Sequence, residues 1–425
     1  MPLNDGAEPL SPDVARCIEN LESPNPRQRS QAALELGELK SMDAVPVLIT
    51  ALKEDINTYV RSAAAESLGH LGDPDAVFPL MDALHDQSSF VRRAAAIALG
   101  QLQAKEAQVA LLQALEDPNF YVQRAVMNAI GKLGIPDLGK VLLPYLETDD
   151  SRIRRTVITA LRRLGTREAI PEMVSMLEDY LHTPAPHDLP VVKTLVVALG
   201  EFGSVEAVPV LIRVVRGYVG VRSMAASALG RIGDLRAGPV LVEVLRDRSA
   251  SLRLAALKSI GKLAYREAAP VIREFLSSAD PRVRRVAALT AGQLKDRDAL
   301  PYLMAMAHDD ASPLVRPVAV EAMELIGDAQ VLDELLLLVN DTNAYLRASL
   351  ASALCTLGGN RPEVCEALAC LQKDSVEHVV ASAEKALKHL EENKTPSVFE
   401  PAMAEEHESV HSKEGSWISR ILRIH

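Results

Sequence analysis

A short pattern, Val-Arg followed by Leu-Gly and a second Leu-Gly, as in Val60-Arg61, Leu68-Gly69 and Leu71-Gly72, returns about every 31 residues along the chain. An anchor arginine stands at Arg29, Arg61, Arg92, Arg154, Arg222, Arg253, Arg284, Arg316 and Arg347. Gln123, Val192 and Val380 take its place in three further units, which makes twelve. A period of this length is too short for a domain and fits a pair of helices, which cannot bury its apolar face alone and must stack on copies of itself. The repeat therefore predicts an all-α solenoid of about twelve helix pairs, on the order of 100 Å long at roughly 10 Å per layer.

The rest of each unit supports this reading. Val60, Ala64, Leu68 and Leu71 form one apolar stripe at helical spacing on the second helix of the pair. Glycine recurs eight residues after the anchor, as at Gly69, Gly100 and Gly131. Glycine inside a helix costs about 1 kcal/mol relative to alanine, so its return at one register predicts helices that touch where a Cβ would block them. A second glycine, among them Gly72, Gly134 and Gly358, falls just past the last apolar residue, where a left-handed cap belongs. Pro46, Pro171, Pro209, Pro239, Pro270 and Pro301 open the first helices, where the missing N–H has no intrahelical partner to lose. Aspartate lies six residues before the anchor position at Asp55, Asp86, Asp117, Asp247, Asp310, Asp341 and Asp374. In that turn it can cap the second helix or pair with an anchor arginine. A buried ladder of these aspartates with Arg61, Arg92, Arg253, Arg284, Arg316 and Arg347 is the expectation.

The segments FVRRAAAIALGQL and VRSMAASALGRIGD resemble HEAT repeats, and particularly the short HEAT-like repeats of the phycobilisome lyase type. The resemblance covers residues 11–391. It implies the helix-pair solenoid, with the second helices lining a concave surface, and leaves function open because such repeats serve many roles. Residues 1–10 read as an N-terminal extension, 392–415 as a flexible acidic linker and 416–425 as an amphipathic peptide. An insertion at 180–190 lengthens the turn of the sixth unit, and its three prolines forbid a simple helical extension.

Composition narrows the classes further. With 48% hydrophobic and 24% charged residues the chain is foldable, and its formal net charge of -11 disfavours unspecific binding to nucleic acid or anionic membranes. Met1 to Val14 lacks the basic start and apolar run of a secretory signal, and no stretch approaches the roughly 18 apolar residues of a spanning helix, so a cytoplasmic location is expected. Cys17, Cys355, Cys365 and Cys370 read as packing residues.

No catalytic cluster emerges. His407-Glu408-Ser409-Val410-His411 matches the HExxH zinc pattern only formally, because it lies in a polar tail. Deoxyhypusine hydroxylases, which are HEAT-like, hold two iron ions with His-Glu pairs on several repeats, whereas His407-Glu408 is the one such pair here and lies outside the repeats. Cys365 and Cys370, five apart, fall off one helical face. No metal or other cofactor is expected.

One residue after the anchor, about 120° from the buried leucine, four successive units carry Arg93, Arg124, Arg155 and Lys193, with Lys132 and Arg163 as a neighbouring row. This is either an ordinary solvated face or a basic stripe that takes an acidic segment of a protein partner. At the C-terminus Trp417, Ile418, Ile421 and Leu422 share one helical face, suited to the solenoid itself, a partner groove or peripheral contact with a membrane. Three functions follow: a non-enzymatic scaffold or adaptor, a bilin lyase-type subunit or chaperone suggested by the repeat resemblance, and a HEAT-like DNA glycosylase suggested by the basic stripe.

Overall fold

The computed structural model describes residues 10–182, 188–217 and 220–392. Among them are 24 α-helices and no strand. They form twelve antiparallel pairs, each with a shorter first helix and a longer second one. The fourth unit shows why these residues fold so. Asn119 accepts the N–H of Tyr121 at 2.9 Å and caps the second helix, Phe120–Leu133. Val122, Val126, Ile130 and Leu133 make its buried stripe, and Gly134 at φ 67° ends it in the left-handed region.

Second helices of successive units pack directly on one another, whereas first helices are spread apart, so the stack curves with the second helices inside. The glycine register permits this. A Cβ on Gly69 would stand 2.7 Å from Ala98 Cα, and one on Gly131 would stand 2.8 Å from Ala160 Cα. Alanine, leucine and valine from neighbouring layers then merge into one continuous core.

An arginine–aspartate ladder runs along the turns, with a connectivity the repeat spacing left open. Seven of the nine anchor arginines reach the aspartate of the following unit: Arg29 to Asp55, Arg61 to Asp86, Arg92 to Asp117, Arg222 to Asp247, Arg284 to Asp310, Arg316 to Asp341 and Arg347 to Asp374, while Arg154 has no aspartate at that place. The aspartates do not cap the second helices themselves. Asp55 accepts the N–H of Asn57 at 2.8 Å, and Asn57 is the residue that caps Thr58–Leu71. Arg253 departs from the expected ladder. Ser278 stands where the next aspartate would be, so among the described residues its guanidinium meets only the carbonyls of Asp247 (2.8 Å) and Arg248 (3.1 Å).

Other expectations are corrected. Gly358 is the last residue of the helix Ala344–Gly358 and makes room for Val364, while the positive φ of 60° falls on Gly359. Lys40, Gln103, Ala264 and Lys295 adopt left-handed backbone without being glycine. In the sixth unit the first helix, Ile170–His182, includes the first residues of the insertion. Cys17 and Cys355 are buried, but Cys365 is half-buried and Cys370 exposed, so the last is not a packing residue. Trp417, Ile418, Ile421 and Leu422, the linker beyond 392 and residues 1–9 lie outside the described residues. Among the described residues no helix is long and apolar enough to cross a membrane.

Candidate partner-binding groove

The basic stripe becomes a basin where the second helices of the fourth, fifth and sixth units, Phe120–Leu133, Ser151–Leu164 and Leu189–Phe202, lie side by side. On the fifth, Ile153, Val157, Ile158, Leu161 and Leu164 face the core. That leaves Arg155, Thr159 and Arg163, each four residues on from the last, in line along the inner surface. Together with Arg124, Asn128, Arg152, Thr156 and Thr194 they enclose about 300 Å³, and no carboxylate is among the lining residues.

Charge in this basin is only partly balanced. Arg152 is paired with Asp150 at 2.8 Å and lies with its guanidinium 4.4 Å from the centre of the Phe120 ring. The Arg152 guanidinium, aided by the backbone N–H groups of Arg152 and Ile153, lowers the Asp150 carboxyl to about 2. Arg163 donates to Asn128 Oδ1 at 2.8 Å, a neutral partner. Arg124 sits 5.8 Å from the Tyr121 ring centre. Among the described residues neither Arg124 nor Arg155 has a carboxylate within ion-pair distance. The hydroxyls of Thr156, Thr159 and Thr194 are spent on the carbonyls four residues back, at 2.9, 2.8 and 2.9 Å. An entering anion therefore meets donors chiefly from the guanidiniums, whose planar forks match carboxylate and phosphate oxygens two at a time.

The basin brings together Arg124, Arg155 and Arg163 of the residues expected from sequence. Arg93 and Lys193 are exposed on the third and sixth units and do not line it, and Lys132 is half-buried and packs toward Gly100 of the third unit. Arg152 was not anticipated, although its place three residues before Arg155 on the same helical face is a readable signal. A row of exposed rings was also missed: Tyr59, Phe90 and Tyr121 stand two residues before the anchor position in three successive units. A second hollow of about 410 Å³ follows on the sixth to eighth units, with Met224, Leu254 and Ala255 on its floor and Arg231 and Lys258 beside them. It is the larger of the two but offers fewer charged groups, and the first is the better-defined site.

Five stretches, residues 14–100, 109–189, 187–257, 238–324 and 308–388, match the sequence profile of HEAT repeats. The chain belongs to the HEAT-repeat family. Within this HEAT protein, residues 91–117 also match the PBS lyase HEAT-like repeat. It is 44% identical over 59 residues to bilin biosynthesis protein PecE of Mastigocladus laminosus, which is 14% of this chain and 22% of that protein. It is likewise 44% identical over 61 residues to PecE of Nostoc sp., covering 14% of this chain and 24% of that one. The likeness to both curated relatives thus spans under a quarter of their length. Among solved structures it resembles importin beta with a TM-score of 0.61 at 12% identity, over 89% of this chain and 62% of the other, a likeness of fold alone.

Proposed function

We propose that this HEAT protein is a non-enzymatic binding scaffold whose concave surface captures an acidic segment of a protein partner at the arginine basin. The observation that carries the reading is the convergence of Arg124, Arg152, Arg155 and Arg163 around about 300 Å³ with no lining carboxylate, inside a molecule of net charge -11. An isolated cationic basin on an acidic body steers acidic ligands to one place and repels them elsewhere. Stacked second helices supply rigidity, so little ordering cost falls on the scaffold. Arg93 and Lys193 extend the stripe at its ends, and Lys132 adds a cation on the fourth second helix. The amphipathic C-terminal face of Trp417, Ile418, Ile421 and Leu422 is a second docking element for a partner.

The test is an Arg124→Glu/Arg155→Glu double variant titrated with fluorescent hexaglutamate between about 50 and 300 mM salt. Native protein should bind, more weakly as salt rises. The variant should keep its fold and lose binding, and equal binding by both would refute the groove. A bilin lyase-type role is the second reading, motivated by the local identity to PecE. A bilin absorbance change on mixing with this chain would favour it.

A further inference from the structure

Beside the cation row runs a row of rings. Tyr59, Phe90 and Tyr121 each follow a capping residue by two positions and donate their N–H to its side chain, at 2.9 Å to Asn57, 3.3 Å to Ser88 and 2.9 Å to Asn119. The three caps place the rings equivalently on successive second helices. The three residues are 67%, 58% and 45% exposed, in a chain whose aromatic content is only 4%. Large apolar groups left in solvent at one register over three consecutive layers form a patch and not scatter.

The row leads into the basin. Tyr59 and Phe90 have ring centres 6.3 Å apart, Arg124 lies 5.8 Å from the Tyr121 ring, and Arg152 holds the same helical position in the next unit. Three residues further along the third, fourth and fifth second helices stand Arg93, Arg124 and Arg155, displaced by roughly 4.5 Å along the axis. A ligand crossing these helices therefore meets rings on one side and cations on the other.

We infer that the partner segment binds extended, with apolar side chains alternating with acidic ones. An extended chain points successive side chains to opposite sides, and residues two apart are separated by about 6.6 Å, close to the 6.3 Å between the Tyr59 and Phe90 ring centres. One set of side chains rests on Tyr59, Phe90 and Tyr121 while the other meets Arg93, Arg124 and Arg155. The inference rests on the acidic-segment reading and adds the register and chemistry of the segment. Single-stranded nucleic acid uses rings and cations in a similar way, but the net charge of -11 opposes it, and it enters here as an outcome of the test.

The experiment compares two labelled octapeptides of identical composition, one alternating Asp and Val and one with four Asp followed by four Val, alongside an oligothymidylate of equal length. Native protein should bind the alternating peptide about tenfold more tightly than the block peptide. A Tyr59→Ser/Phe90→Ser/Tyr121→Ser variant, confirmed folded by its melting curve, should bring the alternating peptide to block affinity and leave the block peptide unchanged. Equal affinity for both peptides on native protein would overturn the alternating register while leaving the acidic groove in place. Failure of both to bind in a salt-dependent way would remove the groove reading itself. Tighter binding of the oligothymidylate than of either peptide would assign the rings to bases and also overturn the inference.

Discussion

Arg92 closes on Asp117 of the following unit with Nε 2.6 Å from Oδ2 and Nη2 3.0 Å from Oδ1, and its Nη1 donates to the carbonyl of Asp86 in its own turn at 2.9 Å. One side chain thus closes the turn that precedes its helix and fastens the next layer of the stack. Arg61 does the same with Asp86 and the carbonyl of Asp55, and Arg284 with Asp310 and the carbonyl of Ser278. In a solenoid each layer touches only its neighbours, so a staple that spans the junction acts on the interface that makes the array cooperative.

Removing Arg92 should leave a largely buried carboxylate with no cation, since the Asp117 side chain is only 7% exposed. Arg92→Ala is expected to cost about 2–4 kcal/mol. Arg253→Ala removes two carbonyl hydrogen bonds and a charge that reaches Asp247 and Asp280 without pairing with either, and should cost about 1 kcal/mol, whereas Lys262→Ala should be close to neutral. Chemical denaturation of the three variants checks the order, and equal shifts for Arg92 and Arg253 would deny the staple its role.

Acid should loosen the ladder. Burial alone would raise Asp55, Asp86, Asp117 and Asp310, but the arginine hydrogen bonds, a backbone N–H and the arginine charges outweigh it and hold all four below the ordinary carboxylate value. A lowered folded-state value means the unfolded chain binds protons first as pH falls, so this stability is fully present above the unfolded value of about 3.9 and is lost below it. Melting temperature should be flat from pH 7 to about 5 and drop below about 4. In Arg92→Ala the gap to native protein should begin to narrow above about pH 4, because burial without its cation raises the stranded Asp117 and protonation then discharges it.

Two backbone registers predict opposite outcomes. Gly131→Ala drives a Cβ to 2.8 Å from Ala160 Cα, a contact with backbone that no rotamer relieves, and should destabilise by about 1–3 kcal/mol. Ala264 and Lys295 sit at φ 50° and 55°, where a Cβ is strained. Ala264→Gly and Lys295→Gly should each stabilise by about 0.5–1 kcal/mol. Thermal melts resolve both signs, and a destabilised Ala264→Gly would mean that its methyl group packs better than its backbone suffers.

The repeat was legible because each feature answers a local steric need that returns at fixed spacing: the apolar stripe of Val60, Ala64 and Leu68, the Gly69 contact and the Gly72 cap. The direction of the ladder was not, because Asp86 recurs at fixed spacing both from Arg61, 25 residues before it, and from Arg92, six residues after it, and the repeat alone does not choose between them. Only the stagger between layers sends its carboxylate back to Arg61 and its carbonyl forward to Arg92. Likewise Arg93, Arg124, Arg155 and Lys193 are equivalent by register, yet the basin selects Arg124 and Arg155. Which members of a row share a concavity depends on the approach of whole helices, and that is set by residues on the opposite face.

The ladder is interrupted where the basin lies. Gln123, Arg154 and Val192 are the anchor positions of the fourth, fifth and sixth units, and none makes an arginine–aspartate pair among the described residues. Arg154 instead donates to the Tyr180 hydroxyl at 2.7 Å and to the Thr148 carbonyl. In the same fifth unit Arg162 occupies the register that is glycine in its neighbours and pairs with Glu201. A long side chain there replaces the bare glycine contact seen between Gly131 and Ala160. Three junctions without staples, one also without its glycine contact, should form the least stable stretch of the stack, opening locally at lower cost than the stapled ends. Native-state hydrogen exchange should therefore be faster in the helix Leu189–Phe202 than in Ser89–Gln101, although both carry a buried apolar stripe. Binding of an acidic peptide across the basin should slow exchange in Leu189–Phe202 and leave Ser259 and the residues around it unchanged. Uniform protection along the array would show that apolar stacking alone sets junction stability and that the missing pairs have no local consequence.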